Sequence, residues 1–418
     1  MQRVFFIILL LLWFVSCSER TVKEINNNPI ADSLTKDLND VYKSGCLSGF
    51  SVAIVNENGT VYKRGFGYAD IENKKPYTEN TIQNIASISK TLIGIALLKA
   101  QELGKLKLDD PIDKYLPFKV VNPYYPNSPI TIRSLSNHTS SIVDNVFYDK
   151  KDYFLKPNQD LSKLKFNASE AGFNNCDSII SLNLFLQNLL TKKGKWYKET
   201  VFSKHKPTEV YQYSNIGATL AAYIIELATG ESFDKFTETN IITPLKMNTS
   251  GWKFEDIDFS NYSHLYYTPD TLLPYYSMIS YPDGNFITSS NDLGKYLTEL
   301  IKGYNGQGIL LTKESYKEFF REQLSEKNFL TKRTDDPNDD SYNVGIFIGF
   351  CFNGNIGHTG SDPGVETIML FNPITNTGRL LITNTDIDKT EAEDEFNSIW
   401  KILETYEVRF STKKLKTK

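Results

Sequence analysis

Ser87 and Lys90 put a hydroxyl and an amine three residues apart where "TIQNIASISKTLIGIALL" turns from loop to helix. Helical residues i and i+3 share a face, so the two groups can meet. A helix N-terminus favours negative charge developing on the hydroxyl, and a desolvated lysine can lose its proton near neutral pH. Such a pair can act as a nucleophile with its base, or be surface decoration. Spacing alone does not select it, because Ser-x-x-Lys also begins at Ser33, Ser162, Ser203, Ser232, Ser250, Ser398 and Ser411. Ser89 is one residue off the shared face and reads as a packing or capping serine. A second stretch, "EVYQYSNIGATL", holds Tyr213 and Asn215. A phenol near an ammonium is stabilised as phenolate and can relay protons, and the Asn215 amide can orient a substrate carbonyl or the lysine. Tyr125 and Asn127 have the same spacing. The third is "GHTGSDPG", residues 357–364. Its small residues let a strand edge approach a substrate, an exposed N–H there can polarise a carbonyl, and His358 could hold a carboxylate, assist proton transfer or simply pack.

The elements that must position these groups are partly visible. Apolar residues at helical spacing run from Ala31 to about Ser44. "GFSVAIVNENGTVYKRGFGYAD" is a hairpin turning at Asn58-Gly59, with the return strand from Thr60. The Ser87 helix stops near Gly104, and "ITIRSLSNHTSSI" and "NIGATLAAYIIELATGESFDKF" read as helical, the second ending near Gly230. Residues 143–207 are irregular and rich in Lys, Asn, Asp and aromatics; a span of that kind in an enzyme is more often a functional surface than a spacer. Strands return at Val344–Phe350, Glu366–Phe371 and Gly378–Thr383, before a helix with Phe396, Ile399, Trp400 and Leu403 on one face. This is an α+β layout: a mostly antiparallel sheet from about 31–105 and 281–410, flanked by helices, with a mostly helical subdomain at about 106–280.

With 418 residues the chain can bury a large core, and a net charge of −4 gives no basic surplus for nucleic acid. The tail 411–418, with Lys413, Lys414, Lys416 and Lys418, reads as a solvated end. Cys46, Cys176 and Cys351 have no paired spacing and read as small buried hydrophobes. His138, His205, His264 and His358 lack ligand spacing, so neither a metal nor an organic cofactor is expected. Arg3 and the apolar run Val4–Val15 make residues 1–17 a secretory signal too short to be a typical spanning helix. Ser16-Cys17 resembles the lipobox of bacterial lipoproteins, which implies lipidation at Cys17, with plain secretion the alternative. Residues 18–30 read as a tether. Ser18, in place of the Asp that retains lipoproteins at the inner membrane, favours the outer membrane.

The order Ser-x-x-Lys, Tyr-x-Asn, His-Thr-Gly resembles the serine β-lactamase and penicillin-binding-protein superfamily, closest to its class C-like branch. The likeness extends to "LDDPIDKYLP", "PLKMNTSGW" and "PDGNFITSSNDLGKYL", from about residue 45 to 385. It implies a β-lactamase/transpeptidase-like domain over 31–410. It also implies that Ser87 is the acylated nucleophile, with Lys90 and Tyr213 sharing base and acid roles. Asn215 would orient Lys90 and the substrate, His358 and Gly360 would line the cleft, and the N–H groups of Ser87 and Ser361 would form the oxyanion hole. His358 replaces the lysine of class C β-lactamases, which favours peptidase- or esterase-like chemistry. Ser141 stands where Gly is usual, in a segment read as a structural turn, and His138 within it is read the same way. The implied protein is a cell-envelope serine hydrolase, lipid-anchored, acting on D-amino-acid peptides or amides, peptidoglycan fragments among them. A D-Ala-D-Ala carboxypeptidase or D-aminopeptidase leads; a β-lactamase, a carboxylesterase or a penicillin-binding sensor are the alternatives. Residues 143–207 could wall the cleft and set substrate choice.

Overall fold

The computed structural model describes residues 28–331 and 339–411. The segment expected to be a secretory signal, Cys17 and the tail beyond Ser411 lie outside the described residues. Helix α1 (Pro29–Tyr42) begins inside the expected tether, capped by the Asn28 side chain, which accepts from the N–H groups of Ile30 and Ala31. Pro29 opens it at a position where a missing N–H costs nothing.

One antiparallel sheet organises the molecule. Its strands are β1 (Gly49–Asn56), β2 (Gly59–Asp70), β3 (Lys75–Pro76), β4 (Asn343–Val344), β5 (Gly349–Phe350), β6 (Ile356–Asp362), β7 (Val365–Asn372) and β8 (Thr377–Thr383), in the order β4-β5-β6-β7-β8-β1-β2-β3. The N- and C-terminal segments meet at β1 and β8, with Phe50 opposite Thr383 and Asn56 opposite Thr377. Residues 344–350 are not one strand: the Gly345 N–H bonds the Ile348 carbonyl at 2.8 Å and Phe347 takes φ +54°, folding the run into a hairpin. An apolar run looks the same in a strand and in a buried turn.

The other helices used below are α2 (Ser89–Glu102), α3 (Asn215–Thr229), α4 (Ser290–Tyr304) and α5 (Thr390–Phe410). Side chains of β1 alternate: Phe50, Val52 and Ile54 join Leu34, Leu38, Phe396, Ile399, Trp400 and Leu403 under α1 and α5. Ala53 and Val55 join the larger core of α2, α3 and α4. Each such fully buried side chain contributes about 1.5–3 kcal/mol. The outer layer also buries an ion pair: Arg379 of β8, 2% exposed, pairs with Glu407 and Glu404 of α5 and stacks 4.3 Å from the Trp400 ring.

α2 is buried on almost every side, as its unbroken apolar run requires. A β-carbon on Gly94 would stand 2.1 Å from the Ile346 carbonyl, so only glycine admits the neighbouring turn. Leu92 of α2 and Ile216 and Leu220 of α3 share one core, so 106–280 packs as part of the same body. That region is less helical than its sequence suggests. "ITIRSLSNHTSSI" is helical only over Ile132–Ser136, because His138 and Ser141 both take left-handed φ, +57° and +67°. Within 143–207 the structure contains helices Val146–Asp152 and Leu182–Leu190, and a strand, Tyr153–Leu155, paired with Tyr276–Met278. Cys351 is buried, but Cys46 and Cys176 are partly exposed thiols, not the buried residues expected.

Candidate active site

The turn carrying Ser87 is fixed from both sides. Strand Ile82–Asn84 pairs with Ile287–Ser289, and the Ile85 N–H bonds the Phe286 carbonyl at 3.0 Å. Ala86 then takes φ +48°, a left-handed conformation that costs an L-residue about 1 kcal/mol. The 3-10 turn Ala86–Ile88 delivers Ser87 to the mouth of α2. Ser89 is fully buried, and its Oγ accepts the Phe286 N–H at 3.1 Å, pinning the turn from behind.

Lys90 is fully buried. Its Nζ donates to Ser87 Oγ at 2.9 Å and to the Asp283 carbonyl at 2.8 Å, and lies 5.2 Å from the Tyr213 ring centroid. Burial lowers its pKa; Asp283, Asp362, Asp144 and Asp152 oppose that in part. Asn215 opens α3, where its backbone N–H donates to Asp144 at 2.9 Å. The carbonyl of Asp283 holds the Lys90 amine because the Tyr281–Gly284 turn packs directly on α2.

Tyr213 precedes the α3 cap residue Ser214. Tyr213 is 38% exposed, and its hydroxyl lies on the Ser87 side of the site. Burial of that hydroxyl pushes its pKa well above the ordinary tyrosine value, and Asp340, Asp283 and Asp144 push the same way. Tyr213 is therefore a neutral phenol at rest, not the phenolate expected from its lysine neighbour. His138 belongs to this site after all: its ring stacks on Tyr213 at 4.4 Å, and its Nδ1 accepts the Ser214 N–H at 3.2 Å. Burial holds its pKa well below the usual histidine range, so a neutral imidazole props the tyrosine.

β6 passes along the other side. The His358 ring lies 6.3 Å from Tyr213, with Nδ1 2.6 Å from the Thr359 carbonyl and 3.3 Å from Asp340. Burial lowers its pKa and Asp340 only partly opposes this, so the residue at the lysine position carries no resting charge at neutral pH. A β-carbon on Gly360 would stand 2.7 Å from Ser87 N and 2.8 Å from the Ile85 carbonyl. Gly360→Ala is therefore expected to push β6 off the Ser87 turn, slowing acylation about tenfold or more, with a melting temperature several degrees lower; stopped-flow acylation and calorimetry read both. Normal acylation in that variant would show that the close approach does not matter. Ser361 follows, exposed, with Glu366 opposite it across β7. Burial pushes Glu366 up to about 8.

Sequence reasoning missed a set of buried carboxyls around the lysine. Asp283 accepts from Thr219 and from Tyr148 at 2.9 Å; Tyr148 meets Ser280 at 3.0 Å, which donates to Asp152 at 2.7 Å. Burial pushes Asp283 up to about 6 and Asp362 up to about 7. Asp283 was disguised by "PDG", which reads as a turn. Asp362 stood inside the third motif without being singled out.

The Beta-lactamase family profile matches residues 31–404. The chain is 26% identical over 348 residues to Protein flp of Staphylococcus aureus strain COL, covering 82% of this chain and 60% of that protein. It thus spans about 60% of the length of the curated relatives it matches first. The fold is similar to the octameric penicillin-binding protein homologue from Pyrococcus abyssi (TM-score 0.68, 22% identity, 90% of this chain and 77% of that one). It is also similar to D-amino acid amidase from Ochrobactrum anthropi SV3 (TM-score 0.64, 19% identity, 90% and 99%).

Proposed function

The chain belongs to the beta-lactamase family, and from that premise we propose that it is a cell-envelope serine hydrolase that forms an acyl-enzyme on Ser87 and acts on D-amino-acid peptide or amide bonds. The observation that carries this reading is the contact of Ser87 Oγ with Lys90 Nζ at 2.9 Å beneath the Tyr213 hydroxyl. Lys90, as the neutral amine that burial favours, takes the Ser87 proton as Oγ attacks the carbonyl carbon. The N–H groups of Ser87 and Ser361 hold the oxyanion. Tyr213, a neutral phenol, passes a proton to the departing nitrogen and is reprotonated through Lys90. Water then attacks the Ser87 ester and regenerates the hydroxyl. In this reading the lipid anchor at Cys17 holds the body at the bacterial outer membrane.

His358, uncharged and tied to Asp340, favours peptidase or amidase over β-lactamase work. A panel of D-alanyl p-nitroanilide, a D-Ala-D-Ala peptide, a p-nitrophenyl ester and nitrocefin tests it. We expect kcat/KM on a D-aminoacyl amide or peptide to exceed that on nitrocefin by about tenfold or more. Nitrocefin as the best substrate would reassign the protein as a β-lactamase. A stable penicilloyl adduct with no turnover of any substrate would make it a sensor.

A further inference from the structure

We propose that Asp362 is an ammonium-binding subsite, so that the bond cleaved is the amide of an amino acid whose own amino group is free. This rests on Ser87 being the acylated nucleophile and names the substrate class for that site.

Strand alternation sets His358, Gly360 and Asp362 on one face of β6, the face whose Gly360 lies against the Ser87 turn. The two carboxyl oxygens of Asp362 differ. Oδ1 accepts from the Tyr153 hydroxyl at 2.7 Å, whereas none of the described residues donates to Oδ2, which is buried. A buried carboxyl oxygen without a donor is destabilising, and a ligand N–H removes that cost. Its location is close to the chemistry: a β-carbon on Gly284 would stand 3.1 Å from Oδ2, and Gly284 follows Asp283, whose carbonyl holds Lys90.

The carboxyl is also held in place by its neighbours. Tyr153, Phe173 and Tyr276 form a mutually edge-on or tilted aromatic group, with centroids 5.4, 5.5 and 6.3 Å apart, in one cluster with Ala86, the residue before the nucleophile. Phe173 and Tyr276 are buried, so the group fixes the Tyr153 ring and with it the hydroxyl that holds Oδ1. The insertion 143–207 supplies Tyr153 and Phe173, so it sets this subsite. The wider field agrees, since Asp283, Asp362, Asp144 and Asp152 all act on Lys90, while His358 presents no fixed cation for a substrate carboxylate.

The experiment compares kcat/KM for D-alanyl p-nitroanilide with that for N-acetyl-D-alanyl p-nitroanilide, alongside fluorophosphonate labelling of Ser87. In the wild type the free amine is expected to be favoured about tenfold or more, and Asp362→Asn to bring the ratio close to one. Tyr153→Phe, which removes the Oδ1 donor but keeps the ring, is expected to lower the ratio part of the way and serves if the asparagine variant does not fold. A wild type that labels at Ser87 yet treats both substrates alike overturns this inference alone. An undiminished ratio in Asp362→Asn overturns it too. A wild type that takes no label overturns the assignment of Ser87, and this subsite with it.

Discussion

Ser87→Ala is expected to abolish covalent labelling by a fluorophosphonate, read as loss of the mass increment, and to lower kcat/KM by about 10^4-fold or more. The fold should barely register the change. Ser87 is only partly buried and its oxygen bonds Lys90, which keeps its other contact with the Asp283 carbonyl, while Tyr213 keeps its stack on His138. A melting temperature within a few degrees of wild type is therefore expected. Ser89→Ala should behave in the opposite way, still labelling but less stable, since it leaves the buried Phe286 N–H without its acceptor. Equal labelling of wild type and Ser87→Ala would place the nucleophile elsewhere.

Lys90→Met is expected to slow acylation by about 10^3-fold, because it removes the base and keeps the length of the side chain. Replacing a fully buried amine with an apolar chain of similar volume is often neutral or stabilising, so the melting temperature should hold or rise. The pH profile gives a sharper reading. Burial lowers the Lys90 pKa from its ordinary 10.5, so the reactive neutral amine accumulates as pH rises through a value below that. The wild-type acylation rate should climb with pH along this limb, and the limb should vanish in the methionine variant. A Lys90→Met enzyme that acylates at the wild-type rate with the same limb would remove the lysine from the mechanism.

How much of this was legible beforehand depended on whether a residue's role is local. The β1–β2 hairpin follows from alternation and Asn58-Gly59, and α5 from a one-sided apolar stripe, because both patterns are written in consecutive residues. Ser87 and Lys90 were visible for the same reason, being a single helical turn. The ionisation of Tyr213 was not, since it is set by burial and by Asp340, Asp283 and Asp144, which lie far away in sequence. His138 was read as structural because nothing near it in sequence says that its ring will lie under Tyr213. The carboxyl set around Lys90 was invisible for that reason too: an aspartate that ends up buried is indistinguishable, letter by letter, from one in a surface turn. In 143–207 the lack of period concealed two short helices and the strand that brings Tyr153 to Asp362.

The pairing of β1 with β8 also bears on when the protein becomes active. Within the sheet β6 reaches the N-terminal hairpin through β7 and β8, and Thr367 of β7 also bonds the Ile85 carbonyl beside Ser87, so the β6 wall of the cleft is built by residues up to Thr383. Contacts between such distant parts of a chain form late and slowly during folding. A partly synthesised chain would already carry Ser87, Lys90 and Tyr213, yet would lack the β6 side of the cleft. The Ser87 site is in that sense completed by the last strands to dock, so Ser87 lacks one wall of its cleft until the C-terminal part of the sheet has folded.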